Sequence, residues 1–385
     1  MSLKKRLIRI ASGAEQKFDD LAFDLRRRLR LSDPLQIVPF RSYGTVNSLY
    51  VKGRVLEAKV MREASANDNI FQNVLNMYRR FESDEVPGAK LRVRFGGEEH
   101  TILTDSEGYF VINLSTDIPI TWEDMWHEVE VELIDAPLPF TPGLKSIAEV
   151  LVPPADAEYG IISDIDDTII RTNAVNLLAM SRNTFFHNAY SRLPFAGVSE
   201  FYKSLQLGRN GKRNNPFFYV SSSPWNLYDL LVDFLDLNKI PAGPLLLRDF
   251  GLEGNKVGAT DHMGHKFKEI KQLLHAYPHL NFVLIGDSGQ EDPKIYREVV
   301  RQFPGRILAI YIRDVQLRER EKIAVDISKE LETDKVEMII VDNTVEAANH
   351  AAQIKLIFTD NIPDIEVEKK QDKGEIAGKE ELTIE

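Results

Sequence analysis

Six short apolar runs constrain the fold of the larger part of this chain. They are "GIIS" (160–163), "FFYV" (217–220), "PLLL" (244–247), "FVLIG" (282–286), "ILAIYI" (307–312) and "MIIV" (338–341). None alternates apolar with polar residues, as a strand with one wet face would. Strands buried on both faces read this way, and they occur where helices cover a parallel sheet. Helical stretches separate the runs, so the expected fold here is α/β with a Rossmann-like parallel sheet.

The sequence before residue 154 follows another rule. "LRVRF" (91–95) and "HEVEVEL" (127–133) alternate with period two, as half-buried antiparallel strands do. Between them, "TDSEGYFVINL" (104–114) reads as a turn followed by a strand, and it resembles transthyretin-like β-sandwich modules. A β-rich, sandwich-like domain is expected over 40–153, interrupted by a helix at "NIFQNVLNMYRRF" (69–81). "LVPPAD" (151–156) reads as a linker, because paired prolines are stiff and end a strand. Phe18, Leu21, Ala22, Leu25 and Leu29 recur at helical spacing, which predicts a helix over 1–31 within a basic segment reaching residue 39. The first thirty residues hold nine Lys or Arg against four acids. The α/β domain is expected over 154–360. The tail, 361–385, is rich in Glu and Lys without aromatic residues, and disorder is expected there.

Composition narrows the function. A net charge of −11 argues against nucleic acid as a partner. With no cysteine, thiolate metal sites, disulfides and cysteine nucleophiles are excluded. No apolar run approaches the ~18 residues of a spanning helix, and the start lacks an apolar signal core. The cytoplasm is the expected compartment; the helix at 1–31 is expected to pack on the catalytic domain by its apolar stripe, with peripheral contact to an anionic membrane through its basic residues as the alternative.

In a parallel sheet, functional groups gather where strands end. After the first run come Asp164, Asp166 and Asp167, which repel one another unless a cation or acid chemistry is expected there. After "FFYV" come Ser221, Ser222 and Ser223; after "FVLIG" come Asp287 and then Asp292; Lys266 and Lys268 lie in a helix before that fourth strand. Such parts suit phosphoryl transfer. A carboxylate attacks phosphorus, a second acid two residues on handles protons, and a hydroxyl and a lysine hold phosphate oxygens. Mg²⁺, which prefers oxygen ligands, offsets the clustered charge.

D-x-D-x-T after an apolar strand, then Ser, then Lys, then "GDSGQED", resembles the four motifs of the haloacid dehalogenase superfamily. The longer strings "DIDDTI", "FFYVSSSPWNLY", "HKFKEI" and "FVLIGDSGQEDPKIY" resemble the actin-patch-type phosphatidate phosphatase catalytic domain family over roughly 155–350. The resemblance implies a parallel sheet of the haloacid dehalogenase type, Mg²⁺ as cofactor, and a phosphorylated substrate, in this family a lipid. It implies Asp164 as nucleophile and Asp166 as general acid/base. Ser221 and Lys266 would hold phosphate, with Ser222 a further candidate. Asp164, the main-chain carbonyl of Asp166, and Asp287 would ligate the metal, with Asp292 in support.

Plainer readings stand beside these. Ser223 precedes Pro224 and an amphipathic helix, so it reads as an N-cap. Asp292 precedes Pro293 and also reads as a cap. Asp167 reads as a turn or capping residue. Residue 169 is Ile where a calcium loop needs glycine, which excludes an EF-hand. Lys266 and Lys268 compete for one role, and only the family string favours Lys266. His262 and His265 read as surface residues, and Trp122, Trp126 and Trp225 as packing residues. The intervals between motifs hold no evident cap domain, which leaves the centre open to a membrane-borne headgroup. The alternatives are a phosphatase of soluble phosphomonoesters or phosphoproteins, and a β-domain binding module carrying an inert α/β domain.

Overall fold

The computed structural model describes residues 34–57, 85–115, 124–170, 195–248, 262–315, 317–373 and 375. The helices expected at 1–31 and 69–81, and Trp122, lie outside the described residues.

The N-terminal strands are β1 (Leu35–Pro39), β2 (Ser42–Thr45), β3 (Ser48–Glu57), β4 (Lys90–Phe95), β5 (Glu98–Leu103), β6 (Tyr109–Ser115), β7 (Trp126–Asp135) and β8 (Lys145–Leu151). β1 takes the end of the segment read as helical to residue 39. Hydrogen bonds join all eight in one sheet, ordered β1-β3-β2-β8-β7-β4-β5, with β6 on β3. Period-two patterning sends Val129, Val131 and Leu133 of β7 inward, where they meet Leu49, Val51 and Val55 of β3 and Leu91 and Val93 of β4 in one core. Strands far apart in the order share that core, so the sheet curls around it. The turn before β6 is closed by Asp105 Oδ1, which accepts from the N–H groups of Glu107 and Tyr109, both at 2.9 Å. Gly108 takes a φ of 74° there, a conformation open to glycine.

Past residue 154 the elements are β9 (Gly160–Ser163), α1 (Val198–Leu207), β10 (Phe217–Pro224), α2 (Tyr228–Leu237), β11 (Leu245–Arg248), α3 (His262–Ala276), β12 (Phe282–Asp287), α4 (Asp292–Gln302), β13 (Ile307–Arg313), α5 (Arg318–Leu331), β14 (Met338–Val341), α6 (Thr344–Gln353) and α7 (Ile362–Asp372). The strands form a parallel sheet ordered β11-β10-β9-β12-β13-β14. Each apolar run has two buried faces because both are covered. Ile161, Phe217, Tyr219, Val283 and Ile285 pack with residues of α1, α2, α6 and α7. Ile162, Phe218, Val220, Leu284 and Ile310 pack with residues of α3, α4 and α5. The chain enters at β9, builds β10 and β11 to one side, then returns to place β12 on the other. This reversal of winding at β9 and β12 is where such sheets open a crevice at their carboxyl ends.

The two sheets are packed together. Phe40 stacks on Trp225 with centroids 4.6 Å apart and planes 15° from parallel, and Lys52 Nζ lies 3.9 Å from the Trp225 ring centroid. Tyr277 Oη donates to the Gly44 carbonyl at 3.0 Å, and Arg41 pairs with Asp236 through two hydrogen bonds of 3.1 and 2.9 Å. Leu151 and Val152 are buried, so the stretch read as a linker begins inside this joint. Trp126 and Trp225 pack, as expected. No helix among the described residues is long and apolar enough to cross a membrane.

Disorder is the sequence expectation over 361–385; residues 376–385 lie outside the described residues, and the part before them departs from that expectation. Residues 362–372 form α7, anchored by the fully buried Ile365. One apolar residue suffices because α7 also docks by charge. The first turn of α1 has no side-chain cap of its own; Asp372 accepts from Gly197 N–H and Glu368 from Glu200 N–H, each at 2.8 Å. Burial pushes Glu368 up to about 7, against the pull of the Glu200 N–H, with Asp372 and Glu200 adding to the rise. An acid raised on folding stabilises fully below its unfolded value of 4.5, and that contribution fades as pH climbs through about 7. The α7 dock should therefore weaken between pH 5 and pH 8. Glu368→Gln should flatten that change by a few degrees in melting temperature. Thermal melts at the two pH values test this, and an unaltered pH slope in the variant would oppose it.

Candidate functional site

Asp164 follows β9 directly, and its N–H donates to the Ile285 carbonyl of β12 at 2.9 Å, so the switch between strands holds it in place. Ile165, Ile169 and Ile170 sink into the core and anchor the loop that follows. Asp167 turns that loop with a φ of 57°, a left-handed conformation that Asp tolerates better than most residues. Its role is therefore a turn, and it caps no helix among the described elements.

Three further elements converge on Asp164. α3 brings Lys266, whose Nζ lies 2.9 Å from Asp164 Oδ1 and 2.7 Å from Asp292 Oδ1. β12 ends in Asp287, and α4 begins with Asp292. Candidate oxygens of Asp164, Asp287 and Asp292 lie within 4.8 Å of one another, and all three residues are buried. Gly286 makes room for this: a Cβ there would stand 2.6 Å from Asp292 Oδ2. The acid chosen by sequence as either cap or ligand support is no cap. Asp292 spends Oδ1 on Lys266 and Oδ2 on the Asp287 N–H at 3.2 Å. Lys268 is exposed, so α3 presents Lys266 alone of that pair to the centre.

Asp166 sits at the mouth, half-buried. Its Oδ2 accepts from Ser221 Oγ at 2.8 Å and from Ser223 Oγ at 2.9 Å. Ser223 thus corrects the N-cap reading: after Pro224 the chain makes one tight turn over Trp225–Leu227, and α2 starts at Tyr228 with no side-chain cap. The missed signal was parity, because residues 221 and 223 of one strand share a face. Ser222, the sequence candidate, has a buried hydroxyl without a hydrogen-bond partner among the described residues. Gln290 was also missed. Its Nε2 lies 3.2 Å from the Asp166 carbonyl and 3.5 Å from Asp164 Oδ2. Its place in "GDSGQED", three residues past Asp287, was the available signal. His265, expected at the surface, is mostly buried. Burial, then the charge of Arg248, pushes it down to about 4; the His262 side chain lies outside the described residues.

The centre is short of positive charge. Burial raises Asp164 well above the usual carboxylate range although Lys266 pulls the other way. Burial, then Asp292, pushes Asp287 up to about 7. Burial alone would lower Lys266, but Asp164, Asp292 and Asp287 outweigh it and hold the ammonium above its ordinary value. The residues fit a divalent cation. Asp287 Oδ1 is taken by the N–H groups of Gly289 and Gln290, while Oδ2 is buried without a hydrogen-bond partner. Asp164 Oδ2 and the Asp166 carbonyl lie beside the same amide of Gln290, which makes them neighbours. Hard oxygens so arranged suit Mg²⁺.

Fold and site together define a buried centre of carboxylates and one lysine at the switch point of a parallel α/β sheet. Residues 159–314, which carry every one of these groups, match the family model described as "Phosphatidate phosphatase APP1, catalytic domain". Over this stretch the match bears out the resemblance to the actin-patch-type phosphatidate phosphatase catalytic domain family. The chain is 37% identical over 155 residues to phosphatidate phosphatase APP1 of Saccharomyces cerevisiae, and 30% identical over 223 residues to an uncharacterized protein of Schizosaccharomyces pombe. The matches cover 40% and 56% of this chain but only 25% and 35% of those proteins. A solved carbohydrate acetylesterase of Xanthomonas citri aligns over 83% of this chain and 75% of its own at 10% identity and a TM-score of 0.26, too low to bear on fold or chemistry.

Removing the buried ammonium should leave the acids uncompensated. Lys266→Met is expected to lower stability by about 3 kcal/mol near pH 8. The loss should shrink at pH 5, where the raised carboxyls take up protons. Urea unfolding at both pH values checks this; equal losses would rule out the charge-balance explanation.

Proposed function

We propose that the chain is a Mg²⁺-dependent phosphatase of the haloacid dehalogenase type, acting on a lipid phosphate such as phosphatidate. The observation that supports it most is the convergence of Asp164, Asp166 and Lys266 at the switch point, inside the stretch that matches a phosphatidate phosphatase model. Asp164 attacks phosphorus; the bond to the leaving oxygen breaks as an aspartyl-phosphate forms. Asp166 delivers its proton to that oxygen. Both serine hydroxyls engage Oδ2, which leaves Oδ1 to carry the mobile proton. Asp166 then takes a proton from water, which attacks the aspartyl-phosphate, releases phosphate and restores Asp164. Lys266 holds the phosphate oxygens with Ser222, whose buried hydroxyl has no hydrogen-bond partner among the described residues, since Ser221 gives its one proton to Asp166. Asp164, Asp287 and the Asp166 carbonyl would hold Mg²⁺, which offsets charge on the phosphate; Asp292 orients Asp287 and Lys266.

The lipid substrate, with phosphate and diacylglycerol as products, is supported by the name of the yeast relative. A cytoplasmic location belongs to the same reading, with membrane contact by residues 1–31 the alternative to their packing on the catalytic domain. Soluble phosphomonoesters form the control arm of its test.

Phosphate release from phosphatidate vesicles should exceed that from soluble phosphoesters, vanish in EDTA and return with Mg²⁺. Activity on soluble esters alone would move the substrate, and full activity in chelator would remove the metal. Asp164→Asn should cost ~10³-fold or more in kcat. Asp166→Asn should also be severe, through the lost proton transfer. Retained turnover in the Asp164 variant would sink the covalent mechanism.

A further inference from the structure

We propose that Gln290 sets the affinity of the centre for its divalent cation by competing for the cation's own ligands. This rests on the cation reading above and adds a residue to it. Gln290 lies on the turn that ends β12, and its backbone N–H donates to Asp287 Oδ1 at 3.0 Å. That bond holds the side chain over the acids. Nε2 then reaches the Asp166 carbonyl at 3.2 Å and Asp164 Oδ2 at 3.5 Å, while Oε1 lies 3.4 Å from Lys266 Nζ. The first two oxygens are those that would ligate Mg²⁺ together with Asp287 Oδ2. An amide NH₂ carries two donors, and a donor set on an oxygen lone pair takes the direction a cation needs.

The lengths matter. A strong N–H···O bond is ~2.9 Å, so contacts of 3.2–3.5 Å hold loosely. The side chain is half-buried rather than sealed, which leaves it a way out toward solvent. A neutral amide also leaves the carboxylate charge uncompensated, whereas a divalent cation offsets it. Gln290 therefore yields to the cation at a cost, and that cost sets the concentration at which the centre fills. Direct ligation of the cation by Gln290 Oε1 predicts the opposite sign on mutation.

The test is calorimetric titration of Mg²⁺ into chelator-treated full chain, unmodified and as Gln290→Leu, which keeps bulk but removes the amide. Binding roughly three- to tenfold tighter in the variant is expected from two lost hydrogen bonds. Equal or weaker binding would overturn the proposal. If the variant does not fold, the Gln290 side-chain amide signals of the unmodified chain decide by NMR. They should shift with the same midpoint as Mg²⁺ binding, and signals unmoved at saturation would overturn it. An unmodified chain that binds no Mg²⁺ would overturn the cation reading and the proposal with it; binding unchanged by Gln290→Leu would overturn the proposal alone.

Discussion

One ammonium group holds the centre together. Lys266 is buried between Asp164 and Asp292, with Asp287 beyond them, and its contacts of 2.9 and 2.7 Å are what let three carboxylates share a dry space. A buried ion stripped of its partner costs several kcal/mol, so none of these side chains stands independently. The balance is incomplete, since among the described residues one positive charge faces three acids. Burial first, and the neighbouring carboxylates after it, raise Asp164 and Asp287. The same electrostatics that strain these acids favour a cation beside them.

Topology supplies the positions. β9 and β12 are adjacent only because the chain builds β10 and β11 first and then crosses back. That adjacency sets Asp164 beside the residues ending β12, and α3, which precedes β12, delivers Lys266 from the face it covers. The N-terminal sheet reaches the same region from outside. Phe40 and Lys52 hold Trp225, which follows the serine strand by one residue past Pro224. The serines that orient Asp166 thus stand on a strand whose end is fixed by another sheet.

Much of the site was legible. Asp164, Asp166, Ser221, Lys266, Asp287 and Asp292 were marked by their places after apolar runs and by motif order, and the structure brings all six together. What failed was local chemistry with two good readings. Ser-Pro before an amphipathic helix is a sound capping signal, yet Ser223 turns to Asp166 because the strand runs on to Pro224 and the helix begins later. The tail looked disordered because its composition is charged, and a single buried isoleucine with two capping carboxylates was enough to dock α7. The docking of α7 has no sequence signature, since it depends on a partner distant in the chain, and the Ser223 contact had only the parity it shares with Ser221.

The sequence by itself determined the strand type, because an apolar run without alternation needs both faces covered, and it determined which residue types could carry the chemistry. Tertiary structure supplied the physical reason for a choice that, in the sequence, only the family resemblance favoured. Lys266 and Lys268 differ by two positions on one helix, and only the packing of α3 against the sheet turns the first inward and leaves the second in water. Gln290 is an ordinary polar residue in sequence. It acquires a role because the turn after β12 brings its amide to two oxygens contributed by the loop after β9, more than a hundred residues earlier in the chain.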